Sequence, residues 1–318
     1  MKKLLAIICV IALVLSMTAC TTPADDGKFV VGICQIEPHP ALDAATKGFK
    51  DALVAKLGDK VTFIEQNAAG DSNTLNSIIN DFVSKKVDLI LANATPVLQT
   101  AYAATTVIPI LGTSITEYGV ALNIENFNGT VGGNVSGTSD LAPLDKQADM
   151  IIEWFPEAKN IGLLYCAAEA NSKYQVETVK AYLEGKGLNA TLYSFSSSSD
   201  LASVTETAAA ESDVIYVPTD NTLANSAAVV DGICRPKKMP IIAGEEGICA
   251  GCGVATLSIS YEELGKVTGE MAAKILLGEA KISEMPVAYA SDPAYKYNKE
   301  ICQELGLTPP EGYTAIGE

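Results

Sequence analysis

The chain has 318 residues, enough for two packed lobes of ordinary domain size. It carries 38 acidic residues against 22 basic ones and a single histidine, a formal charge of −16. That excess of acid repels nucleic acid and anionic lipid headgroups and excludes nucleic-acid binding.

The elements begin with an export signal. Lys2 and Lys3 precede an apolar run from Leu4 to Leu15, shorter than the roughly 20 residues a permanent membrane helix needs. A basic start, a short apolar core and small residues before a cut describe a secretory signal over residues 1–19. Cys20 follows Thr18 and Ala19 and resembles the lipobox cysteine of bacterial lipoproteins, with Met17 where Leu is usual. The resemblance implies lipidation at Cys20 and a polar tether over 20–27 that holds the chain on a membrane. With Lys2 and Lys3 removed, 20 bases face 38 acids, a charge of −18. No later apolar run is long enough to cross a membrane, so the rest is expected outside the cytoplasm.

From Phe29 the sequence alternates strand-like and helix-like segments. Strands are expected at 29–34, 61–65, 87–92 and 108–111, and helices at 41–57, 74–84 and 96–105. The rhythm restarts after Leu141-Ala-Pro143. Helices at 145–155, 172–184, 201–210 and 221–230 alternate with strands at 160–165, 191–195, 214–217 and 240–243. A strand at 254–259 and a helix at 261–277 follow. Strands alternating with helices predict an α/β fold with parallel sheets flanked by helices. Because the rhythm runs twice, two lobes are expected, with a cleft lined by strand-end loops.

Polar residues gather at those strand ends. In the first lobe they are Gln35, Thr95, Thr113 and Ser114; in the second they are Glu169, Asn171, Ser172, Asp220, Asn221 and Glu245. Thr95 and Thr113-Ser114 stand beside helix starts or tight turns, where free N–H groups attract anions. Thr95 is equally suited to capping the helix that begins at Pro96, as Asp220 is to capping the next helix. An acid facing carboxylate-binding loops is what an ammonium group needs. The arrangement describes an α-amino acid site with its anionic end on one lobe and its cationic end on the other. His39, between Pro38 and Pro40, shapes the first strand-end loop within reach of the ligand. Tyr165 and Tyr216 end strands beside the same cleft, whereas Trp154 reads as core.

Enzyme signatures are missing: G-x-G-x-x-G, the P-loop, G-x-S-x-G and H-E-x-x-H do not occur. A carboxylate-pair hydrolase stays open because acids are plentiful. Cys34, Cys166, Cys234, Cys249, Cys252 and Cys302 lie beyond the signal, and Cys249-Ala-Gly-Cys252 is a C-x-x-C. With no second such pair and His39 far off, it reads as buried thiols or a local disulfide involving Cys234, with no metal.

Several ordered motifs together resemble the tryptophan/tyrosine-type substrate-binding lipoproteins of ABC importers. They are Val31-Gly-Ile-Cys-Gln-Ile-Glu-Pro-His-Pro-Ala-Leu-Asp43, Asn93-Ala-Thr-Pro96, Val131-Gly-Gly-Asn-Val-Ser-Gly-Thr-Ser-Asp140, Glu169-Ala-Asn-Ser172 and Pro218-Thr-Asp-Asn221, with Tyr261-Glu-Glu-Leu-Gly265 and Gly269–Gly278. The thiols within 246–252 depart from the family's pattern. The resemblance implies a two-lobed periplasmic-binding-protein-like I fold that crosses between lobes near Gly137, Ile259 and Lys281. Lobe 1 is then 28–137 plus 259–281, and lobe 2 is 138–258 plus 282–318. It further implies hinge closure on an aromatic amino acid, no cofactor, a monomer, and an importer's permease and ATPase subunits as partners. A branched-chain amino acid, nucleoside or sugar on the same scaffold is the alternative, as is a ligand-presenting partner of a membrane sensor or, in another class, an exported hydrolase.

Overall fold

The computed structural model describes residues 27–289 and 293–317; the signal, Cys20 and the tether up to residue 26 lie outside them. Among the described residues no helix is long and apolar enough to cross a membrane.

Two sheets organise the chain. The first is laid down by β1 (Phe29–Gln35), α1 (Pro40–Leu57), β2 (Val61–Asn67), α2 (Ser72–Lys85), β3 (Leu89–Asn93), α3 (Thr95–Ala104), β4 (Ile110–Ile115), α4 (Tyr118–Leu122) and β5 (Val135–Ser139). The second takes α5 (Leu144–Trp154), β6 (Asn160–Cys166), α6 (Ala170–Gly185), β7 (Asn189–Phe195), α7 (Ser198–Glu211), β8 (Val214–Val217), α8 (Asn221–Asn225), α9 (Ala227–Cys234), β9 (Ile241–Ala243), α10 (Glu246–Cys252) and β10 (Ala255–Ser258). The chain then returns to the first lobe with α11 (Tyr261–Leu276) and β11 (Ala288–Tyr289), and ends on the second with β12 (Ala294–Tyr297), α12 (Lys299–Leu305) and β13 (Thr314–Ala315). Strand order is β11-β5-β4-β3-β1-β2 in one sheet and β13-β12-β10-β9-β8-β6-β7 in the other. All pairings are parallel except β10 with β12, which is antiparallel.

Both faces of each sheet are covered, as parallel strands require. Leu89 and Leu91 of β3 pack with Phe49 and Leu53 of α1 and Met271 of α11. Their neighbours Ile90 and Ala92 point the other way, toward Phe82 of α2 and Leu98 of α3. In the second lobe Leu163 and Tyr165 face α5 and α6, whereas Leu164 and Cys166 face α7 and α9. The period-2 alternation thus feeds two cores per sheet, each buried large side chain contributing roughly 1.5–3 kcal/mol.

Helices α1 and α11 touch backbone to backbone. A Cβ on Gly48 would lie 2.0 Å from the Glu262 carbonyl oxygen, and one on Gly265 would lie 1.9 Å from that of Ala45. Glycine is required at both places because no side chain fits.

The third passage between lobes falls later in the chain than the expected point near Lys281. Ala288 pairs with Thr138, so the segment through Tyr289 stays with the first sheet and the second is rejoined only at β12. Without β11, β5 would present an open edge. Ser136 Oγ donates to the Met285 carbonyl at 3.0 Å and fastens the approach. The expected helix over 221–230 is divided at Ser226 into α8 and α9.

The six described cysteines are buried free thiols. Cys249 and Cys252 lie in α10, and burial raises both thiols well above the ordinary cysteine value.

Candidate functional site

The carboxyl ends of both sheets meet at a seam crowded with buried polar side chains. The lobes are joined across it by hydrogen bonds. Asn225 Nδ2 in α8 donates to Glu37 Oε2, beyond β1, at 2.5 Å, and His39 Nε2 lies 3.3 Å from Asn221 Oδ1. Asn221 donates its Nδ2 to Glu169 Oε2 at 2.6 Å, which turns its oxygen toward His39. That network assigns the hydrogen of His39 to Nε2 and leaves Nδ1 as a bare acceptor. Burial lowers the histidine's pKa below its ordinary value, consistent with a neutral ring.

Several residues expected at the ligand have their polar atoms engaged inside the protein. Gln35 donates to the Glu37 carbonyl and to Asp43 Oδ1, both at 2.8 Å, while its oxygen accepts from Thr46 and Asn93. That completes an amide's capacity and pins the β1–α1 turn. Thr113 Oγ1 accepts from the Thr138 and Thr268 hydroxyls, each at 3.3 Å. Ser172 Oγ donates to the Thr219 carbonyl at 3.4 Å. Tyr165 packs into the core between the second sheet and α5–α6, and Tyr216 donates its hydroxyl to Gln147 at 2.6 Å.

The three acids of the second lobe serve helix starts. Glu169 accepts from the backbone of Asn221 and Thr222 and from the side chains of Asn171, Asn221 and Thr222. Asp220 accepts from the N–H groups of Cys166 (2.7 Å) and Leu223 (2.9 Å), capping α8. Glu245 caps α10 through Gly247 and Ile248 N–H. Asp220, expected to meet the ligand's ammonium group, therefore has both oxygens on backbone amides. The physical reason is that a strand end in this fold is also a helix start, and orphan N–H groups claim the nearest carboxylate. Burial, and for Asp220 also the nearby Glu169 charge, raises its carboxyl to about 8 and Glu245 to about 7.

A second set of buried atoms has no partner. It includes His39 Nδ1, Asn93 Oδ1, Ser114 Oγ, Asp140 Oδ1 and Asn171 Oδ1. Thr95 adds a hydroxyl at the first residue of α3, where it makes no capping bond; the cap position is Ala94. The backbone here is strained: Ala94 has φ 99° and Ser114 φ 56°, conformations that side chains with a Cβ rarely adopt. Unpaired buried atoms and left-handed non-glycine residues are both expensive, and native proteins keep them where function requires them.

Asp140, Tyr261, Glu37 and Asn225 were not among the expected site residues. Glu37 lies two positions past β1 and could have been found by the strand-end rule. Asp140 follows β5, a Ser/Gly/Thr-rich strand with little apolar signal. Beside the seam a groove of about 460 Å³ spans both lobes, with Ala41 and Ala44 of α1, Gly247 and Ala250 of α10, and Ile259 and Tyr261 among its walls. Its size falls within the usual range of small-molecule sites.

Two lobes with parallel sheets, three passages between them and polar strand ends facing each other define a periplasmic-binding-protein-like architecture. The chain belongs to the ABC transporter substrate binding protein family, whose model matches residues 30–315. It is similar to the tyrosine-binding protein of Clostridioides difficile, 38% identical over 283 residues that cover 87% of this chain and 81% of the relative. Among solved structures it resembles an ABC domain in complex with L-Trp from Streptococcus pneumoniae, at 34% identity and a TM-score of 0.85, covering 91% of this chain and 100% of that one. It also resembles the ligand-free, open structure of a substrate binding protein with adhesive properties from Clostridium difficile, at 38% identity and a TM-score of 0.69, covering 91% and 99%. The chain is nearer the second in sequence and nearer the first in shape, in keeping with the hydrogen bonds that join its lobes.

Proposed function

We propose that this chain is the extracytoplasmic, lipid-anchored substrate-binding component of an ABC importer and that it holds an aromatic amino acid, tryptophan or tyrosine, between its lobes. The observation that carries the reading is the set of buried, unpartnered polar atoms on both sides of the seam: His39 Nδ1 and Ser114 Oγ from the first lobe, Asn171 Oδ1 from the second. A small polar ligand would satisfy them together, and only with the lobes closed. The strained loops at Ala94 and Ser114 would offer the hydroxyls of Thr95 and Ser114 to its carboxylate. The largely apolar groove beside Tyr261 suits an aromatic side chain. The ligands in the names of the tyrosine-binding relative and the L-Trp complex support the same class.

The test is the thermal midpoint of the mature domain against amino acids, nucleosides and sugars. A ligand at a hundred times its dissociation constant adds about 2.7 kcal/mol. A shift with tryptophan or tyrosine is expected. A shift confined to another compound would keep the receptor and replace the ligand, and no shift with any compound would overturn the reading.

A further inference from the structure

The unpartnered atoms at the seam share a polarity. Asn171 donates its Nδ2 to Glu169, Ser172 and the Thr219 carbonyl, so its Oδ1 can only accept. Asn93 Oδ1 and His39 Nδ1 are acceptors by the same reasoning. Burial raises the pKa of the Asp140 carboxyl, and once ionised its Oδ1 is an acceptor that carries charge. Only Ser114 Oγ can donate. A ligand that met these atoms would be rich in N–H or O–H groups.

Asp140 stands out within this set. It follows β5 where the chain first leaves the first lobe, and its backbone N–H donates to the Ile115 carbonyl at 3.1 Å, alongside the strand that carries Ser114. Its Oδ2 accepts from the Tyr261 hydroxyl at 2.9 Å, at the second passage, while Oδ1 has no partner. The residue is 4% exposed; the hydroxyls of Tyr261 and Thr116 act on its carboxyl, and no cation does. Glu169, Asp220 and Glu245 place both oxygens on donors of the protein itself. Burial without a counter-charge disfavours the ionised carboxyl, and a bound cation restores it. A metal ion is a poor fit, because no group of three His, Cys, Asp or Glu side chains among the described residues could hold one. An ammonium group brings both the charge and three donors.

We infer that Asp140 anchors the ligand's α-ammonium group, with Asn171 Oδ1 as a further acceptor. The passages between the lobes, through Asp140 and its support Tyr261, thus read the amino group. This rests on the amino-acid reading above and names the residue that selects for an amine.

The experiment is calorimetric titration of the mature protein with L-tryptophan, L-tyrosine and their des-amino analogues, indole-3-propionate and 3-(4-hydroxyphenyl)propionate. The wild type should bind its amino acid about a hundredfold more tightly than the analogue. Asp140→Asn keeps the shape and removes the charge. It should lose about a hundredfold in amino-acid affinity and most of the preference for the amine, while the ligand-free variant unfolds at or above the wild-type midpoint. Tyr261→Phe, which leaves the charge, should keep the preference. Wild-type binding of the analogue as tightly as the amino acid would overturn the inference, and needs no variant. So would unchanged affinity in Asp140→Asn. Failure of the wild type to bind any amino acid would instead remove the amino-acid reading, and the inference with it.

Discussion

The two sides of the seam handle buried polarity differently. In the second lobe Glu169, Asp220 and Glu245 are engaged by N–H groups of neighbouring helix starts, so that side is nearly complete without a ligand. The first lobe and the passage beyond it hold four unpartnered atoms, on His39, Asn93, Ser114 and Asp140, with left-handed backbone at Ala94 and Ser114 beside them. Burial alone would have pointed to the second lobe, where the acids are. At the seam the unmet hydrogen-bonding capacity points to the first, with Asn171 as the exception; Trp154 Nε1 and Thr256 Oγ1 of the second lobe are also unpartnered. A buried carboxylate at a strand end is therefore a weak sign of ligation when a helix begins beside it; a buried atom with nothing to bond is a stronger one.

The contrast can be broken by substitution. Glu169→Ala should have the largest effect, destabilising the ligand-free protein by about 4 kcal/mol in urea denaturation, because it strands backbone and side-chain donors at α8. A loss under 1 kcal/mol would mean that the second lobe is not held by its acids. Away from the seam, Gly265→Ala should lower stability by about 3 kcal/mol, since the new methyl group meets the Ala45 carbonyl of α1. An unchanged urea midpoint would show that the α1–α11 contact yields freely.

The pH dependence of stability sharpens the same division. Glu245 and Asp220 have folded-state values near 7 and 8, above those of an unfolded chain. The folded state then holds protons that the unfolded chain has released, so this contribution is full below about pH 4 and is lost as pH rises through 7 and 8. Between pH 5 and 8 the ligand-free protein should lose stability, roughly 2 to 3 kcal/mol of it from Glu245 alone. Glu245→Gln should flatten part of that slope in urea titrations at several pH values, and a slope of the opposite sign would refute the assignment. The smallest effect is expected at Ser114→Gly. Removing a side chain held at φ 56° should add about 1 kcal/mol to the unliganded protein, while loss of the hydroxyl weakens ligand binding about tenfold. Parallel changes in stability and affinity would remove Ser114 from the site.

Much of the fold is legible in the sequence because long elements carry their own period. The expected helix at 41–57 is α1 within one residue, and the strand at 214–217 is β8. Short elements held by their neighbours are not legible. β5 reads Val-Ser-Gly-Thr-Ser and owes its burial to β4 and β11; a Cβ on its Gly137 would lie 2.0 Å from the Gly112 carbonyl oxygen. Helices α4, α10 and α12 are likewise short, and the two cysteines of α10 drew attention to sulfur chemistry and away from helix. The strand-end rule picked out polar residues that the fold buries at the seam. It could not separate capping acids from free ones, because that depends on which N–H groups packing delivers to each oxygen. Asp140 escaped because the strand that places it was itself unread.

Calorimetric titration of the mature protein with L-tyrosine and L-tryptophan tests the central claim most directly. The account predicts saturable one-to-one binding of at least one of them, with a negative heat-capacity change from closing the lobes over an apolar side chain. A folded protein that gives no binding heat with either, at several temperatures, would contradict it.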